Sequence, residues 1–493
     1  MTIDPRTPVL VGVGVAQRPP DGSAGVSPFE LMTEAATVAG LDSGATDLLG
    51  RLDTVAVTVG NWEHPDPGRA LAEQLGVRDV RSIRVDVGVP QQTPVSVALR
   101  RIRSGAADVV LVAGGEALAS RRAAERAGRE APDGGWSTRS TVPDEHWRPG
   151  EDDSGELMCE AEIAAGLWAP VEQYACIEVA RGAAAGWDRE QHLADIGSLW
   201  SAFAAVAGTN PAADFAGARS ALDLVIPSAE NRPLAWPYTK WLVSQWTVDQ
   251  AAALLLCSAE VARSLGVPPD RWVFPRVALE SSHAVSLTRR SELHRWPAMG
   301  VLGRAAAAHL GTPLDGIELV ECYSCFPSAV RVQQAELGLD PRSVPTLTGG
   351  MTFAGGPFNN ATYQSTAVMV GRLRAEPDAL GLLTTVSGLL TKPGLVVWSA
   401  TPGPPELVAD LAAEAAAATG TTESVAEWDG TGGVVTATAV HEGLEAVRAA
   451  IVADLPDGRR WVGWSEDRWT VEAVVTATAV GRTVGISGGG CSC

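Results

Sequence analysis

Short apolar runs alternate with segments of helical periodicity along the first part of the chain. Apolar runs that suit strands occupy residues 9–14, 53–59 and 84–87, and a helical pattern of apolar positions covers 28–39. The run at 108–115 is almost continuously apolar, as in a parallel strand that is buried on both faces. Because strand and helix alternate, we expect a mostly parallel sheet with helices on its outside.

The pattern changes after residue 118 and returns near residue 272. Residues 118–156 are charged, rich in Gly, Pro and Trp, and without a clear period, and helical patterns follow at 170–185 and 189–206. This predicts an inserted, mostly helical subdomain. Strand patterns then resume at 277–280, 317–321, 382–386 and 394–399. Two βα halves that flank an insertion indicate an internal duplication.

A third pattern begins beyond the proline-rich break at 402–405. An alanine-rich helix runs to about residue 418, and the heptapeptide Val-Val-Thr-Ala-Thr-Ala-Val then occurs twice, at 434–440 and 474–480. Both copies alternate β-prone Val and Thr with Ala, which predicts a small all-β module with a flexible Gly- and Cys-containing tail. The predicted units are a first half at 1–117 plus 222–270, an insertion at 118–221, a second half at 271–405, a linker helix at 406–421 and a β domain at 422–493.

Composition narrows the class of protein. The chain of 493 residues carries 38 Lys and Arg against 58 Asp and Glu, a net charge of −20, which disfavours nucleic-acid and anionic membrane partners. It shows neither an N-terminal signal pattern nor an apolar run of the roughly 20 residues that a membrane helix requires. Seven cysteines, an odd number, suggest a reducing compartment without a disulfide framework. We therefore expect a soluble cytoplasmic protein.

Three sequence motifs resemble those of the thiolase superfamily over roughly residues 7–402. Residues 103–108, Arg-Ser-Gly-Ala-Ala-Asp, lead into Ala-Gly-Gly-Glu at 113–116 and are similar to the family's Gly-x-Ala-Asp and Ala-Gly-Gly signature. Residues 247–252 resemble its Asp-Gly-Ala-Ala segment, and the glycines at 349–350 and 355–357 resemble its Gly-Gly and Gly-His-Pro loop. The resemblance implies an α/β fold of two duplicated halves with mixed, mostly parallel sheets in five αβαβα layers.

The closest resemblance is to the type-1 thiolase-like proteins of actinobacteria. These proteins keep the fold, lack the catalytic cysteines and carry an extra C-terminal β domain, which the predicted β module matches. An OB-like barrel is one form that this domain could take. Such sequences are homologous to acetyl-CoA acetyltransferases, so the resemblance names an acyltransferase ancestry in lipid metabolism.

The family's four catalytic positions hold different residues here. Counted from the Ala-Gly-Gly run, the nucleophilic cysteine falls on Val89, the Gly-His-Pro histidine on Gly356 and the second cysteine on Val386. The Asn-Glu-Ala-Phe segment becomes residues 323–326. Loss of a covalent nucleophile can cost on the order of 10⁶ in rate, and loss of an acid–base group about 10²–10⁴. We therefore expect no thiolase turnover of the cysteine type.

Tyr323 and Cys325 are the candidate catalytic residues that remain. Both follow a predicted strand, at the end where α/β folds place functional groups. Tyr323 stands where a family asparagine meets the reacting oxygen, and some steroid-degrading relatives work as aldolases with tyrosines. The alternative is a tyrosine that only lines a wall. Cys322 and Cys325 form a lone Cys-x-x-Cys, and without a second pair we expect no metal site.

Further residues are candidates for substrate binding. Pro90 suits the first position of a helix, whose backbone N–H groups could hold an oxygen or a phosphate. Asn359 and Asn360 would cap the next helix or contact a ligand. Trp136, Trp147 and Trp168 would floor a groove or fill a helical layer, and the few basic residues nearby locate no site for the phosphates of CoA. The predicted substrate-binding set is Gln91, Gln92, Ser324, Gly355, Gly356, Asn359, Asn360 and Ser387.

Three functions are compatible with this sequence. The first is a protein that binds an acyl-CoA or a related lipid metabolite without turnover, needing no cofactor and taking CoA or acyl-CoA as its ligand. The second is a repurposed carbon–carbon bond enzyme of the retro-aldolase type that uses Tyr323. The third is a non-catalytic partner in lipid or sterol metabolism that docks another protein through its β domain. Homodimer and monomer both stay open.

Overall fold

The computed structural model describes residues 3–45, 47–132, 142–150 and 157–492. Strands within these ranges are β1 (Pro8–Arg18), β2 (Thr54–Thr58), β3 (Arg81–Val85), β4 (Val109–Ala117), β5 (Glu145–Trp147), β6 (Pro233–Ala235), β7 (Tyr238–Thr239), β8 (Asp249–Ser258), β9 (Phe274–Glu280), β10 (Leu319–Glu321), β11 (Leu380–Ser387), β12 (Lys392–Ser399), β13 (Leu407–Asp410), β14 (Ser424–Val425), β15 (Trp428–Glu442), β16 (Glu445–Asp454), β17 (Arg460–Ser465), β18 (Thr483–Gly488) and β19 (Gly490–Ser492). Helices are α1 (Pro28–Asp42), α2 (Pro67–Gln74), α3 (Thr93–Ser104), α4 (Leu118–Arg126), α5 (Glu160–Ala164), α6 (Pro170–Ala184), α7 (Arg189–Ala207), α8 (Ala221–Val225), α9 (Ala259–Ser264), α10 (Pro297–Leu310), α11 (Pro327–Leu337), α12 (Gly350–Phe353), α13 (Ala361–Ala375), α14 (Ala412–Ala418) and α15 (Arg468–Val475).

Two sheets repeat the same arrangement of four strands. The first has the order β1-β8-β4-β2-β3-β5, and the second has the order β10-β11-β12-β9-β13. In the first, β2 is parallel to β4, which is antiparallel to β8, which is antiparallel to β1. In the second, β10, β11, β12 and β9 follow each other with the same orientations. The predicted internal duplication is thus confirmed.

A shared layer of helices lies between the two sheets. Helices α3 and α13 each contact strands of both sheets, while α1 covers the outer face of the first and α10 that of the second. Side chains alternate accordingly along β4, where Val110 and Val112 join the core between the sheets and Val109 and Leu111 join the core under α1. Both faces of the central strands are therefore buried, and the predicted five-layered αβαβα architecture is confirmed.

The insertion packs its helices on the second half. Helices α6 and α7 share one core with the outer face of the second sheet, and fully buried Trp200 and Phe203 of α7 stack at 5.0 Å in that core. The predicted helical character holds for the described residues. Strand β5 was not predicted. It pairs with β3 and extends the edge of the first sheet.

A buried ionic network fixes α6 to its neighbours. The Glu178 carboxylate, fully buried, accepts hydrogen bonds from Arg181 of the same helix at 2.6 Å, from His192 of α7 at 3.0 Å and from the Tyr238 hydroxyl at 3.0 Å. Burial opposes the ionisation of Glu178, but Arg181 and His192 outweigh it and lower its pKa to about 2. The Tyr238 hydroxyl oxygen also accepts the N–H of Ser328, in the first turn of α11, at 3.3 Å. The network thus joins four elements, α6, α7, β7 and α11, around one charge.

The C-terminal β domain is a closed barrel of five strands. Strand β15 pairs with β16, β16 with β17, β17 with β19, β19 with β18, and β18 returns to β15. Closure removes the exposed sheet edges that such a small domain would otherwise present. Strand β6 joins β15 from outside through the pair Ala235 and Val440, so the barrel is also hydrogen-bonded to the body.

Three sequence-based expectations for the C-terminal region are wrong. The first heptapeptide copy lies in β15, but the identical copy at 474–480 ends α15 and forms the turn after it. Asp467 caps α15 by accepting the Thr470 N–H at 2.9 Å, and Val471 and Val474 enter the barrel core, so packing overrides β propensity. The segment expected to be only a linker helix begins with β13, which runs parallel to β9, and the tail expected to be flexible contains β19. Within the described ranges, no helix has both the length and the apolar character needed to cross a bilayer.

We expect Glu178→Ala to lower the free energy of unfolding by about 3–5 kcal/mol, because it removes one partner of the buried Arg181–Glu178 ion pair together with the acceptor of His192 and Tyr238. Since the folded-state pKa of Glu178 lies below its ordinary value, the network stabilises fully above about pH 5 and is lost as the pH falls toward 2. Urea unfolding at pH 7 and at pH 3 measures both effects. Glu190→Ala, at an exposed site of α7, is the control, and an equal effect of both variants at pH 7 would contradict the expectation.

Candidate functional site

A cavity of about 600 Å³ lies where strands of both halves end. Its walls come from the segment after β3, the segment after β10, the turn after β11, the loop before α13, the segment before β8 and the insertion. The first three are carboxyl ends of strands, which is where α/β sheets bind ligands. The insertion closes the remaining side with residues of the α6 start and of the segment before α5.

The structure brings the four altered family positions together at this cavity. Gly356 and Val386 line it, and Tyr323 and Cys325 line it from the segment after β10. Val89 lies directly behind the wall, 7% exposed, with its carbonyl oxygen 3.5 Å from the Ser387 hydroxyl that donates to it. Positions that are far apart in the sequence and were assigned only by counting therefore converge on one place.

The predicted substrate-binding residues divide into two groups. Gln91, Gly356, Asn359 and Ser387 line the cavity, whereas four others lie behind its wall. The residues behind the wall have partners there: Gln92 donates to Ser96 at 3.4 Å, Ser324 accepts the Met351 N–H at 3.0 Å, Gly355 packs on Gln250, and Asn360 donates to the Pro357 carbonyl at 2.8 Å.

Of two expectations about helix starts, the one for Asn360 holds in part and the one for Pro90 is wrong. Asn360 occupies the N-cap of α13 without a side-chain capping bond, and Asn359 donates instead to the Val59 carbonyl at 3.1 Å. Helix α3 begins at Thr93, so Pro90 precedes it by a turn rather than opening it. In both places the chain makes a further turn before the helix, and that turn forms part of the cavity wall.

Gln91 and Tyr323 form the polar centre of the cavity. The Gln91 side chain accepts from the Thr362 hydroxyl at 2.5 Å and donates to the Tyr323 hydroxyl oxygen at 3.2 Å. The backbone of Tyr323 is held by Thr384, whose hydroxyl accepts its N–H at 2.9 Å, and by Gln333, which donates to its carbonyl at 2.8 Å. Among the described residues the Tyr323 hydroxyl has no acceptor of its own, so its proton can be donated to a ligand.

The described lining of the cavity carries no charge at neutral pH. It includes no Asp, Glu, Lys, Arg or His, and aromatic or apolar side chains such as Trp168, Trp246 and Phe326 cover most of it. Burial raises the pKa of the Cys325 thiol to about 12 and raises the pKa of Tyr323 above its ordinary value. The site therefore offers hydrogen-bond donors and apolar surface, and neither a thiolate nor a general base.

A second pocket, of about 670 Å³, is cationic. Arg219, Arg232 and Lys240 line it together with Trp241 and a single acidic residue, Glu230. The Arg219 guanidinium lies 3.7 Å from the centroid of the Trp241 ring, and the Lys240 ammonium lies 4.7 Å from it. Within the described part of the chain, none of the three cations forms an ion pair, and the Arg219 Nε atom is buried without a hydrogen-bond partner.

Solved structures resemble the whole chain, although neither a protein-family model nor a curated protein matches its sequence. One is the crystal structure of a monomeric SCP2-thiolase like protein type 1 from Mycobacterium smegmatis, with 28% identity, a TM-score of 0.82, and coverage of 99% of this chain and 100% of that chain. The chain has a thiolase-like fold. An Ltp2–ChsH2(DUF35) aldolase shares the fold at 18% identity, with a TM-score of 0.57 and coverage of 81% of this chain and 99% of that chain.

The full-length match confirms the predicted resemblance to the type-1 thiolase-like proteins, including the extra C-terminal β domain. In this thiolase-like protein the segment 240–246 joins the two pockets. Lys240 and Trp241 line the cationic pocket, and Ser244 and Trp246 line the apolar cavity. The six Cα–Cα steps of this segment span at most about 22 Å. Gln245 fixes the segment by donating to the Lys240 carbonyl at 2.8 Å.

The basic residues near the polar part of the insertion do not reveal the cationic pocket. The three cations lie later, over residues 219–240, and only the fold brings them around one indole. Of the tryptophans named from the sequence, Trp168 lines the cavity, Trp147 packs against the cluster that contains Val89, and Trp136 lies outside the described residues.

We expect Cys325 to resist alkylation in the folded protein. A thiol with a pKa of about 12 has roughly a thousandfold smaller thiolate fraction near pH 7.5 than an ordinary cysteine. Timed iodoacetamide labelling followed by peptide mass spectrometry measures the rate, with Cys325→Ser identifying the peptide and urea-unfolded protein as the fast reference. Labelling of folded Cys325 at the rate of the unfolded reference would contradict a thiol that burial keeps protonated.

Proposed function

We propose that this thiolase-like protein binds an acyl-CoA or a closely related lipid thioester and does not turn it over by cysteine-based thiolase chemistry. The observation that carries the proposal is the uncharged, largely apolar cavity at the positions where the family has its reactive groups. Apolar walls with a few placed donors are typical of sites that bind a lipid-like ligand. The acyl chain occupies this cavity, and its carbonyl lies near the polar centre.

The Tyr323 hydroxyl is the donor for the thioester carbonyl. It accepts from Gln91 and keeps its own proton for the ligand, and Gln91 is held in turn by Thr362. Because burial raises the pKa of Tyr323, the hydroxyl stays protonated throughout the neutral range and acts as a donor. A neutral donor of this kind orients a carbonyl without activating a nucleophile.

The cationic pocket suits the phosphates of CoA. Three cations without ion pairs among the described residues supply the charge, and two of them lie over the Trp241 ring. The segment 240–246 separates this pocket from the acyl cavity, and the pantetheine arm of CoA is an extended chain of comparable length. One ligand can therefore occupy both pockets.

Cysteine-based turnover has no reactive group in the described cavity wall. Val89 and Val386 offer only apolar side chains, and Cys325 has a pKa of about 12. Removing a covalent nucleophile alone can cost on the order of 10⁶ in rate. These features support binding without acyl transfer.

A carbon–carbon bond enzyme that uses Tyr323 is the second candidate. The observation that favours it is the Tyr323–Gln91 pair at the cavity. A retro-aldol cleavage needs a base to take a hydroxyl proton and an acid to protonate the leaving carbon. The raised pKa of Tyr323 suits the acid and not the base, and for this reason we place binding first.

We expect affinity to rise with acyl-chain length. Each methylene that the cavity buries contributes about 0.8 kcal/mol, or roughly fourfold in Kd, until the cavity is full. Isothermal titration calorimetry with free CoA and a series of saturated acyl-CoAs measures this dependence. Lys240→Met should weaken every ligand by a similar factor, whereas Val386→Trp should abolish the length dependence and leave free CoA unchanged. Absence of binding by all esters at millimolar concentration would overturn the proposal.

Tyr323→Phe tests the donor and separates the two candidates. We expect the affinity for acyl-CoA to fall about three- to tenfold, as for the loss of one neutral hydrogen bond, while free CoA binds as before. Cleavage of β-hydroxyacyl-CoA substrates by the wild type and by Tyr323→Phe is then measured by product analysis. Cleavage by the wild type that Tyr323→Phe abolishes would favour the carbon–carbon bond enzyme over simple binding.

A further inference from the structure

One wall of the acyl cavity belongs to a short loop that the barrel contacts. The loop, residues 165–169, joins α5 to α6 and carries Trp168, which lines the cavity while 67% exposed. From barrel strand β17, Trp464 Nε1 donates to the Ala165 carbonyl. A Cβ atom at Gly166 would lie 3.6 Å from the Trp464 Nε1 atom and 3.7 Å from the Trp168 Nε1 atom. The two indoles therefore flank the same glycine.

Arg448 holds Trp464 in this position from the neighbouring strand β16. Its guanidinium lies 4.0 Å from the centroid of the Trp464 ring. Arg448 also faces Glu172, in the first turn of α6, where burial raises the pKa of the carboxyl group and Arg448 opposes that rise. Glu172 is 7% exposed, and its Oε2 atom has no hydrogen-bond partner among the described residues. The barrel thus contacts both ends of the cavity wall, the loop and the helix that follows it.

The same barrel strand reaches a second wall through Arg460. Arg460 and Trp464 are four residues apart and share the face of β17 that looks toward the body. Arg460 is 4% exposed and donates to the carbonyls of Thr288, at 3.2 Å, and Arg290. The buried Arg290 side chain donates in turn to the Leu389 carbonyl at 2.6 Å, and Leu389 lines the cavity after β11.

We propose that barrel strand β17 sets the shape of the acyl cavity, with Trp464 positioning the wall loop that carries Trp168 and Arg460 positioning the Leu389 wall through Arg290. The ligand part of this inference rests on the proposed acyl-CoA binding, and the positioning part does not. The C-terminal domain is then a working part of the site, and Trp464 and Arg460 are positioning residues that touch no ligand.

Trp464→Phe tests the first contact, because it keeps an aromatic ring for Arg448 and removes the N–H that Ala165 accepts. We expect amide exchange in residues 166–168 to accelerate about tenfold or more in the ligand-free protein, with exchange in the barrel strands unchanged. We expect the affinity for a long acyl-CoA to fall about fivefold or more, with free CoA unaffected, because the cationic pocket is not altered. Hydrogen-exchange mass spectrometry and calorimetry measure the two effects.

Trp469→Phe is the matched control, since Trp469 lies on α15 of the same barrel and is 75% exposed. It should change neither exchange nor affinity. If Trp464→Phe unfolds the barrel, Arg448→Met serves as the second variant, with the same expected change confined to the loop. Unchanged loop exchange in a folded Trp464→Phe protein would overturn the inference. Faster exchange with no acyl-CoA binding by the wild type would instead uphold the positioning and reject the proposed ligand.

Discussion

The two halves of the molecule share one layer of helices, and the site depends on that sharing. Helices α3 and α13 are packed between the sheets, so the segments that lead into them meet at one end of the layer. Gln91 precedes α3 and Thr362 lies in the first turn of α13, and the hydrogen bond of 2.5 Å between their side chains joins the halves at the cavity. The duplicated arrangement thus places the two helix starts face to face, and the cavity lies where they meet.

The sequence predicted the parts of the fold that one physical signal controls. Strands such as β4 are buried on both faces, so their apolar runs are easy to recognise. The family motifs assigned Gly356 and Val386 to one site, and both residues line the same cavity in the structure. Prediction from the sequence failed where tertiary packing decides between alternatives. The second heptapeptide became the end of α15 because Val474 enters the barrel core, and no local property distinguishes it from the copy in β15.

Contacts between distant segments could not be predicted from the sequence, for a different reason. Arg219, Arg232 and Lys240 look like ordinary surface cations until the fold sets them around Trp241. Nothing in the sequence likewise distinguishes Trp464 from the other tryptophans of the barrel, but in the structure its indole N–H donates to the Ala165 carbonyl. Neither arrangement has a period or a motif, because each combines side chains from elements that share only a place in the tertiary structure.

The positions that the sequence aligns with the thiolase catalytic residues take part in the packing of this protein. At Gly356 a Cβ atom would lie 2.1 Å from the Ser244 hydroxyl, so the loop has closed over the space in which the family's imidazole would begin. The Val89 carbonyl and the Gln91 N–H both form hydrogen bonds with the Ser387 hydroxyl, so the turn before α3 is bonded within the protein. Restoring the histidine at Gly356 would therefore meet space that Ser244 already fills. The described lining of the cavity is uncharged, and the chain as a whole carries a net charge of −20. An anionic ligand is therefore attracted only near the cationic pocket, within the roughly 8 Å over which charges act at physiological ionic strength.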